Sequence, residues 1–216
     1  MIQEAQGIKH SLRDSKVDIL ERPSAERVLH ALPGYGIAHF ACHGVSKINP
    51  ADSHLLLFKK RNAVDYINNV INQVDNLTDI HASPLKELVL QLKELTVHGL
   101  IEVVDELRVK GIAALKLPAA RLAYLSACST ALSTSSELAD EVTHIVSSFH
   151  IAGFVHVIGT LWPSEDEACQ KMAVDFYSEL SKTHDVAVSY RTAIMGLMKE
   201  KPSQPKYWAP FIHFGA

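Results

Sequence analysis

The sequence predicts a three-layer α/β domain with a mostly parallel central sheet and helices on both faces. Short apolar runs that stop at small polar residues alternate with longer stretches of helical periodicity, the pattern of strands joined by crossover helices. The run Leu122-Ala123-Tyr124-Leu125-Ser126-Ala127-Cys128 carries no charge, as a strand covered on both faces requires. A second run, Ile37-Ala38-His39-Phe40-Ala41-Cys42, has the same design and delivers His43-Gly44 to its carboxyl end. In open α/β sheets, reacting groups and ligands collect at that end of the strands.

Taken in order, residues 1–16 form a weakly amphipathic helix with Ile2, Ala5, Ile8 and Leu12 on one side, and Lys16 to Leu20 reads as a short strand. Pro23-Ser24 starts a helix through Ala25, Val28, Leu29 and Leu32, which Pro33-Gly34 closes. After the histidine-bearing strand and a polar loop, His54 to Phe58 reads as a strand that Lys59-Lys60-Arg61 ends. Pro84 opens a helical pattern through Leu85, Leu88, Val89, Leu92 and Leu95. A second helical pattern runs through Leu100, Val103, Val104 and Leu107 to Gly111. Beyond the cysteine-bearing strand, Ser136 caps a helix carrying Leu138, Val142, Ile145, Val146 and Phe149. Phe154 to Trp162 reads as the next strand. Ser164 and Glu167 have capping-box spacing at the start of a helix striped by Met172, Phe176 and Leu180. Asp185 to Met198 is a further helix, and Tyr207 to Phe214 a final strand.

Composition narrows the function classes. Of 216 residues, 47% are hydrophobic and 21% charged, an ordinary globular balance with room for a sizeable core. A net charge of −3 argues against a nucleic-acid or anionic-membrane surface. The longest uncharged apolar segment, Ile151 to Trp162, is too short to span a bilayer, and the N-terminus lacks the basic start and apolar core of a signal peptide. Three cysteines without paired spacing argue against a disulfide framework and for a reducing, cytoplasmic setting. No glycine-rich phosphate loop is present, which removes the nucleotide-binding α/β class.

Chemistry concentrates on Cys128 and His43. If their strands are parallel neighbours, an imidazole and a thiol face each other across one sheet edge. A catalytic thiol needs such a base, since the thiolate is the attacking species. Gly44, lacking a side chain, lets its N–H approach a substrate; with the Cys128 N–H it could hold a developing oxyanion, a contribution of about 3–4 kcal/mol. From the pattern alone, Cys128 could equally be a small buried apolar residue. A metal site built on His39, Cys42 and His43 is disfavoured, because His39 and Cys42 point to opposite faces of a strand and no further paired ligands follow. No cofactor or metal is expected.

The ordered motifs Ala38-His39-Phe40-Ala41-Cys42-His43-Gly44, His54-Leu55-Leu56-Leu57 and Ala120 through Ala131 resemble a CHAT domain, in wording close to the fungal branch of that family. Leu138-Ala139-Asp140-Glu141, Val157 through Trp162 and Tyr207 through Phe211 continue the match. The resemblance implies a caspase-hemoglobinase fold, His43 and Cys128 as catalytic residues, and peptide cleavage through a thioester. It also implies a pocket for the substrate's P1 side chain near Trp162, with Asp166 as an acidic residue favouring basic P1. The expected partners are a protein or peptide substrate and an upstream repeat or sensor protein, with neither nucleic acid nor membrane. Measured against the family, the chain reads as one domain over 1–216 that starts after the usual first strand and carries an insertion at about 60–94. The leading expectation is a cysteine endopeptidase acting as an effector. The alternative is a catalytically silent caspase-like adaptor, because fold does not fix function.

Overall fold

The computed structural model describes residues 2–13, 15–45, 47, 49, 52–63, 65–66, 68–70, 100–126, 138–162 and 164–215. Its first elements are α1 (Ile2–Ser11), α2 (Ala25–Ala31), β1 (Ile37–Phe40), β2 (His43–Val45), β3 (His54–Asn62), β4 (Leu100–Arg108) and α3 (Val109–Ala113). Then follow β5 (Leu122–Leu125), α4 (Leu138–Ala152), β6 (His156–Thr160), α5 (Asp166–Thr183), α6 (Val186–Glu200), α7 (Pro205–Trp208) and β7 (Phe211–Phe214). The chain divides into two units, residues 1–57 with 106–216, and residues 58–105.

In the larger unit a four-stranded sheet has the order β1-β5-β6-β7. β1, β5 and β6 are parallel, with Ile37 to Phe40 opposite Leu122 to Leu125, and Leu122 to Tyr124 opposite His156 to Ile158. β7 runs antiparallel to β6. Successive side chains of a strand point to opposite faces, so β5 feeds two cores. Ala123 and Leu125 join Phe40 and Val157 in a core closed by Val28 of α2, Ile112 of α3, and Val146 and Phe149 of α4. Leu122 and Tyr124 join Ile158 in another, closed by Ile8 of α1, Met172, Phe176 and Tyr177 of α5, and Ala193 and Leu197 of α6. This is the three-layer α/β arrangement that the alternating elements predict. A second sheet has the order β2-β3-β4, with β2 antiparallel to β3, and Leu55, Leu57 and Leu107 add to the first core.

Local chemistry sets the element ends. The Ser24 side chain accepts from the Arg27 N–H at 3.2 Å and caps α2. Asp185 accepts from the Val188 N–H at 2.9 Å and caps α6, while His184, with φ 56°, ends α5 in the left-handed region. Gly153 has φ +119°, and a Cβ there would stand 2.6 Å from the Leu117 carbonyl oxygen, so only glycine turns α4 into β6 without strain. In the smaller unit, Lys59 on β3 meets Asp105 on β4 at 2.6 Å. Among the described residues no helix is long and apolar enough to cross a membrane.

Several expectations need correction. Leu100 to Arg108 is a strand, not a helix. The spacing of Leu100, Val103, Val104 and Leu107 fits a helix, but Ile101, Val103, Asp105 and Leu107 are the less exposed residues and Glu102, Val104, Glu106 and Arg108 the exposed ones. That alternation, with two adjacent β-branched valines, is the period of a strand. Lys16 to Leu20 joins no described sheet; its side chains tie it to Tyr35, through a Tyr35 hydroxyl bond to Asp18 and the Lys16 ammonium over the ring. β3 runs through Lys59-Lys60-Arg61 to Asn62. α5 has Glu165, not Ser164, at its N-cap, with no side-chain cap bond. The last strand is shorter than expected, because Pro205 starts the helix α7 and Pro210, without an N–H, separates it from β7. The pattern from Pro84 to Leu95 and the Ser136 cap lie outside the described residues.

Substitution tests the two structural claims separately. Phe149→Ala empties a fully buried position and should cost about 3–5 kcal/mol in urea unfolding. Gly153→Ala should cost more than about 1 kcal/mol despite adding only a methyl group; a neutral result would contradict the left-handed turn.

Candidate active site

β1 and β5 end side by side, with Phe40 opposite Leu125. Beyond Phe40 the chain runs through Ala41 and Cys42 to His43, which is exposed and opens β2 opposite Leu56. His43 and Gly44 therefore belong to the second sheet, immediately past the end of the first. Gly44 is buried and opposite Leu55. Past Leu125 the next residue is Ser126, and Cys128 lies outside the described residues. By position in the chain, His43 stands as far beyond Phe40 as Cys128 stands beyond Leu125.

The third strand end completes the edge. β6 stops at Thr160, and Trp162 follows, 38% exposed. Three acidic residues come next at the start of α5. Glu165 is paired with Lys206 at 3.0 Å and Glu167 with Lys201 at 3.5 Å. Asp166 between them is exposed, and among the described residues no ion pair holds it. The Lys201 ammonium also lies 3.7 Å from the centre of the Tyr207 ring. Lysines thus restrain Glu165 and Glu167 on either side of a carboxylate that faces water.

The cysteines differ sharply in chemistry. Cys42 packs against the first core, and burial pushes its thiol up to about 12, so it is neutral at physiological pH. Cys169 is buried in the second core, as core filler. Among the described residues no group of three His, Cys, Asp or Glu side chains could hold a metal ion. His39 and Cys42 serve opposite faces: His39 stacks on Tyr124, with ring centres 4.8 Å apart, in the second core.

A network that the sequence reading missed lies just beneath this edge. Glu4 of α1 is buried, and its carboxylate accepts from His39 Nε2 at 3.1 Å. Because the carboxylate can only accept, Nε2 carries the proton, and Nδ1 meets the Tyr177 hydroxyl at 3.3 Å. Burial alone pushes Glu4 up, but the His39 hydrogen bond and charge, and then the Ser126 hydroxyl, hold it below its ordinary 4.5. In the sequence Glu4 is one polar residue on a weakly amphipathic helix. A second histidine contact, His156 Nδ1 to His213 Nε2 at 3.1 Å, joins β6 and β7.

The family described as CHAT domain matches residues 1–216. No curated protein matches the chain.

Two measurements follow. At neutral pH iodoacetamide should leave Cys42 and Cys169 unmodified in the folded protein and modify both after denaturation, as read by peptide mass mapping. The depressed Glu4 carboxyl contributes stability that is present above its unfolded value and lost as pH falls through the lower folded one. Urea midpoints should therefore drop on acidification below about 4.5, with a shallower drop in Glu4→Gln; identical slopes would remove Glu4 from the acid transition.

Proposed function

The chain belongs to the CHAT domain family, and from that premise we propose that it is a cysteine peptidase module that cleaves protein or peptide substrates with His43 and Cys128 as a dyad. The observation that carries this reading is the matched position of the two residues past a paired strand end. Neighbouring strands lie about 5 Å apart, so two equal departures from Phe40 and Leu125 start within reach of one another. CHAT domains are caspase-like and are related to separases, which act without a third triad member.

In the proposed reaction His43 takes the thiol proton and the thiolate attacks the carbonyl carbon. The oxyanion is held by the Gly44 and Cys128 N–H groups. His43 returns the proton to the leaving amine, which leaves a thioester on Cys128. Water then attacks that thioester, gives up a proton to His43 and releases the acid. Asp166 is the acidic group for a basic P1 side chain, supported by its exposure between two lysine-paired neighbours, and Trp162 lines the same pocket. The module works as an effector in the cytoplasm, switched on by an upstream repeat or sensor protein, and its motifs are worded as in the fungal branch of the family.

An acyloxymethyl-ketone probe with Arg at P1 tests this on wild type, Cys128→Ala and His43→Ala. Labelling should vanish in Cys128→Ala and slow by on the order of 100-fold or more in His43→Ala. A folded wild type that stays unlabelled, with or without its partner, would point instead to an adaptor that works by binding. Asp166→Asn should erase the preference for Arg over an uncharged P1 residue; faster labelling with Asp at P1 in the wild type would remove Asp166 from the pocket.

A further inference from the structure

The outer edge of the four-stranded sheet is closed by β7, and a pair of imidazoles spans the end of its ladder with β6. His156 opens β6 and His213 stands on β7; their Nδ1 and Nε2 atoms meet at 3.1 Å, with ring centres 5.2 Å apart. In the ladder His213 is opposite Ile158, so His156 is its diagonal neighbour on the same face. His156 is the fixed partner, because its backbone N–H donates to the Arg121 carbonyl at 2.8 Å on the chain that leads into β5. The start of β7 is fixed as well. Phe211 is buried in the second core, and its carbonyl accepts from the Tyr190 hydroxyl at 2.8 Å. The end of β7 is held more lightly: Phe214 is only partly buried. Gly215, with φ +144°, lies so close to His156 that a Cβ would stand 2.6 Å from Nδ1.

The contact between the rings tolerates one proton and not two. Between neutral imidazoles one nitrogen donates and the other accepts, and a single imidazolium still donates to a neutral ring. A second proton leaves two donors and two positive charges facing each other across 3.1 Å. We propose that His156 and His213 form a pH-sensitive clasp, which holds the end of β7 on β6 while at least one ring is neutral and releases it when both are charged. The surroundings set where release falls. Partial burial disfavours charge on both rings, and so do the Arg121 guanidinium beside His156, the charge of each ring on the other, and His150 of α4; Asp185, the N-cap of α6, favours it. Tyr190, whose ring centre is 5.6 Å from that of His213, is kept neutral by burial. Both histidines are thereby held below the ordinary 6.5, and the pair takes up its protons in coupled steps. The stability that the neutral pair contributes is present above 6.5 and lost as pH falls through the lower folded values. Release belongs to mildly acidic conditions and opens the edge from His213 onward, with Phe211 still held. It does not depend on the assignment of Cys128.

Amide exchange of the full chain, corrected for the intrinsic pH dependence of exchange, tests the clasp at about pH 7.5 and about pH 5.5, the latter still above the range in which Glu4 takes up its proton. Peptides covering 211–215 should lose protection by about fivefold or more on acidification, the scale of one net hydrogen bond. Peptides from β5 and α5 should keep theirs. His213→Gln, whose amide donates and accepts at the same place but takes up no proton, should cut the change in 211–215 to less than about twofold. His156→Asn replaces Nδ1 in the same way and should act alike, so that misfolding of one variant leaves the other to decide. Equal acid sensitivity in wild type and variant, or an equal rise in every peptide, overturns the proposal. In the wild type, NMR of the two ring Cε1–H groups should show both titrating below 6.5; two independent titrations at or above that value overturn the proposal without any variant.

Discussion

The parallel ladder between β1 and β5 is the constraint on which the larger unit depends. β5 is only four residues long, yet all four are at most 5% exposed, because both faces are covered and each edge carries a neighbouring strand. Such a strand leaves no water for a charged side chain. Its first polar residue, Ser126, therefore marks where the sheet ends. Since β1 is in register with it, the same level is reached at Phe40. The candidate site stands at this boundary because it is the first place where polar chemistry is affordable beside a rigid support.

The two cores on either side of β5 are built differently. The α4 side is apolar, with edge-on contact between Phe149 and both Phe40 and Phe154. The α5 side is aromatic and polar together: Tyr124, Phe176 and Tyr177 pack on one another around the His39 ring, with Glu4 at its rim. Burial drives the phenols of Tyr124 and Tyr177 up, so both stay neutral beside the carboxylate. Apolar packing gives both layers their adhesion, and the polar contacts on one side fix how α1 is seated.

How much of this the residues disclosed depends on the range of the interaction involved. β1 and β5 were legible because burial on both faces removes charge, which is visible in a single window of sequence. The stripe of Met172, Phe176 and Leu180 was legible for the same reason. β4 was misread because Leu100, Val103, Val104 and Leu107 satisfy the helical period while the alternation of Glu102, Val104, Glu106 and Arg108 satisfies the strand period. The pairing of β4 with β3, which brings Asp105 beside Lys59, decides between them, and that partner is remote in sequence. Ser164 matched the local rule for a cap, but the N-cap of α5 is Glu165, which pairs with Lys206 from outside the segment. At the candidate site, the strand pattern put His43-Gly44 past the end of β1, whereas Trp162 and Asp166 were singled out by the family resemblance; Asp166 opens α5. Glu4 could not be foreseen, because nothing local distinguishes it from a solvated glutamate; His39 gives it meaning only after folding.

The β1–β5 pairing joins two segments separated by the second sheet and the whole of residues 58–105. Bringing them together is a loop-closure problem, and its entropic cost grows only logarithmically, by about 0.6 kcal/mol for each doubling of the loop. Growth or loss of residues between β3 and β4 is therefore thermodynamically cheap, and the stretch can vary in length over evolution without loosening the strand pair. Its toll falls on time instead. Contacts so distant in sequence form late, and a sheet built on them folds slowly compared with helices of the same size.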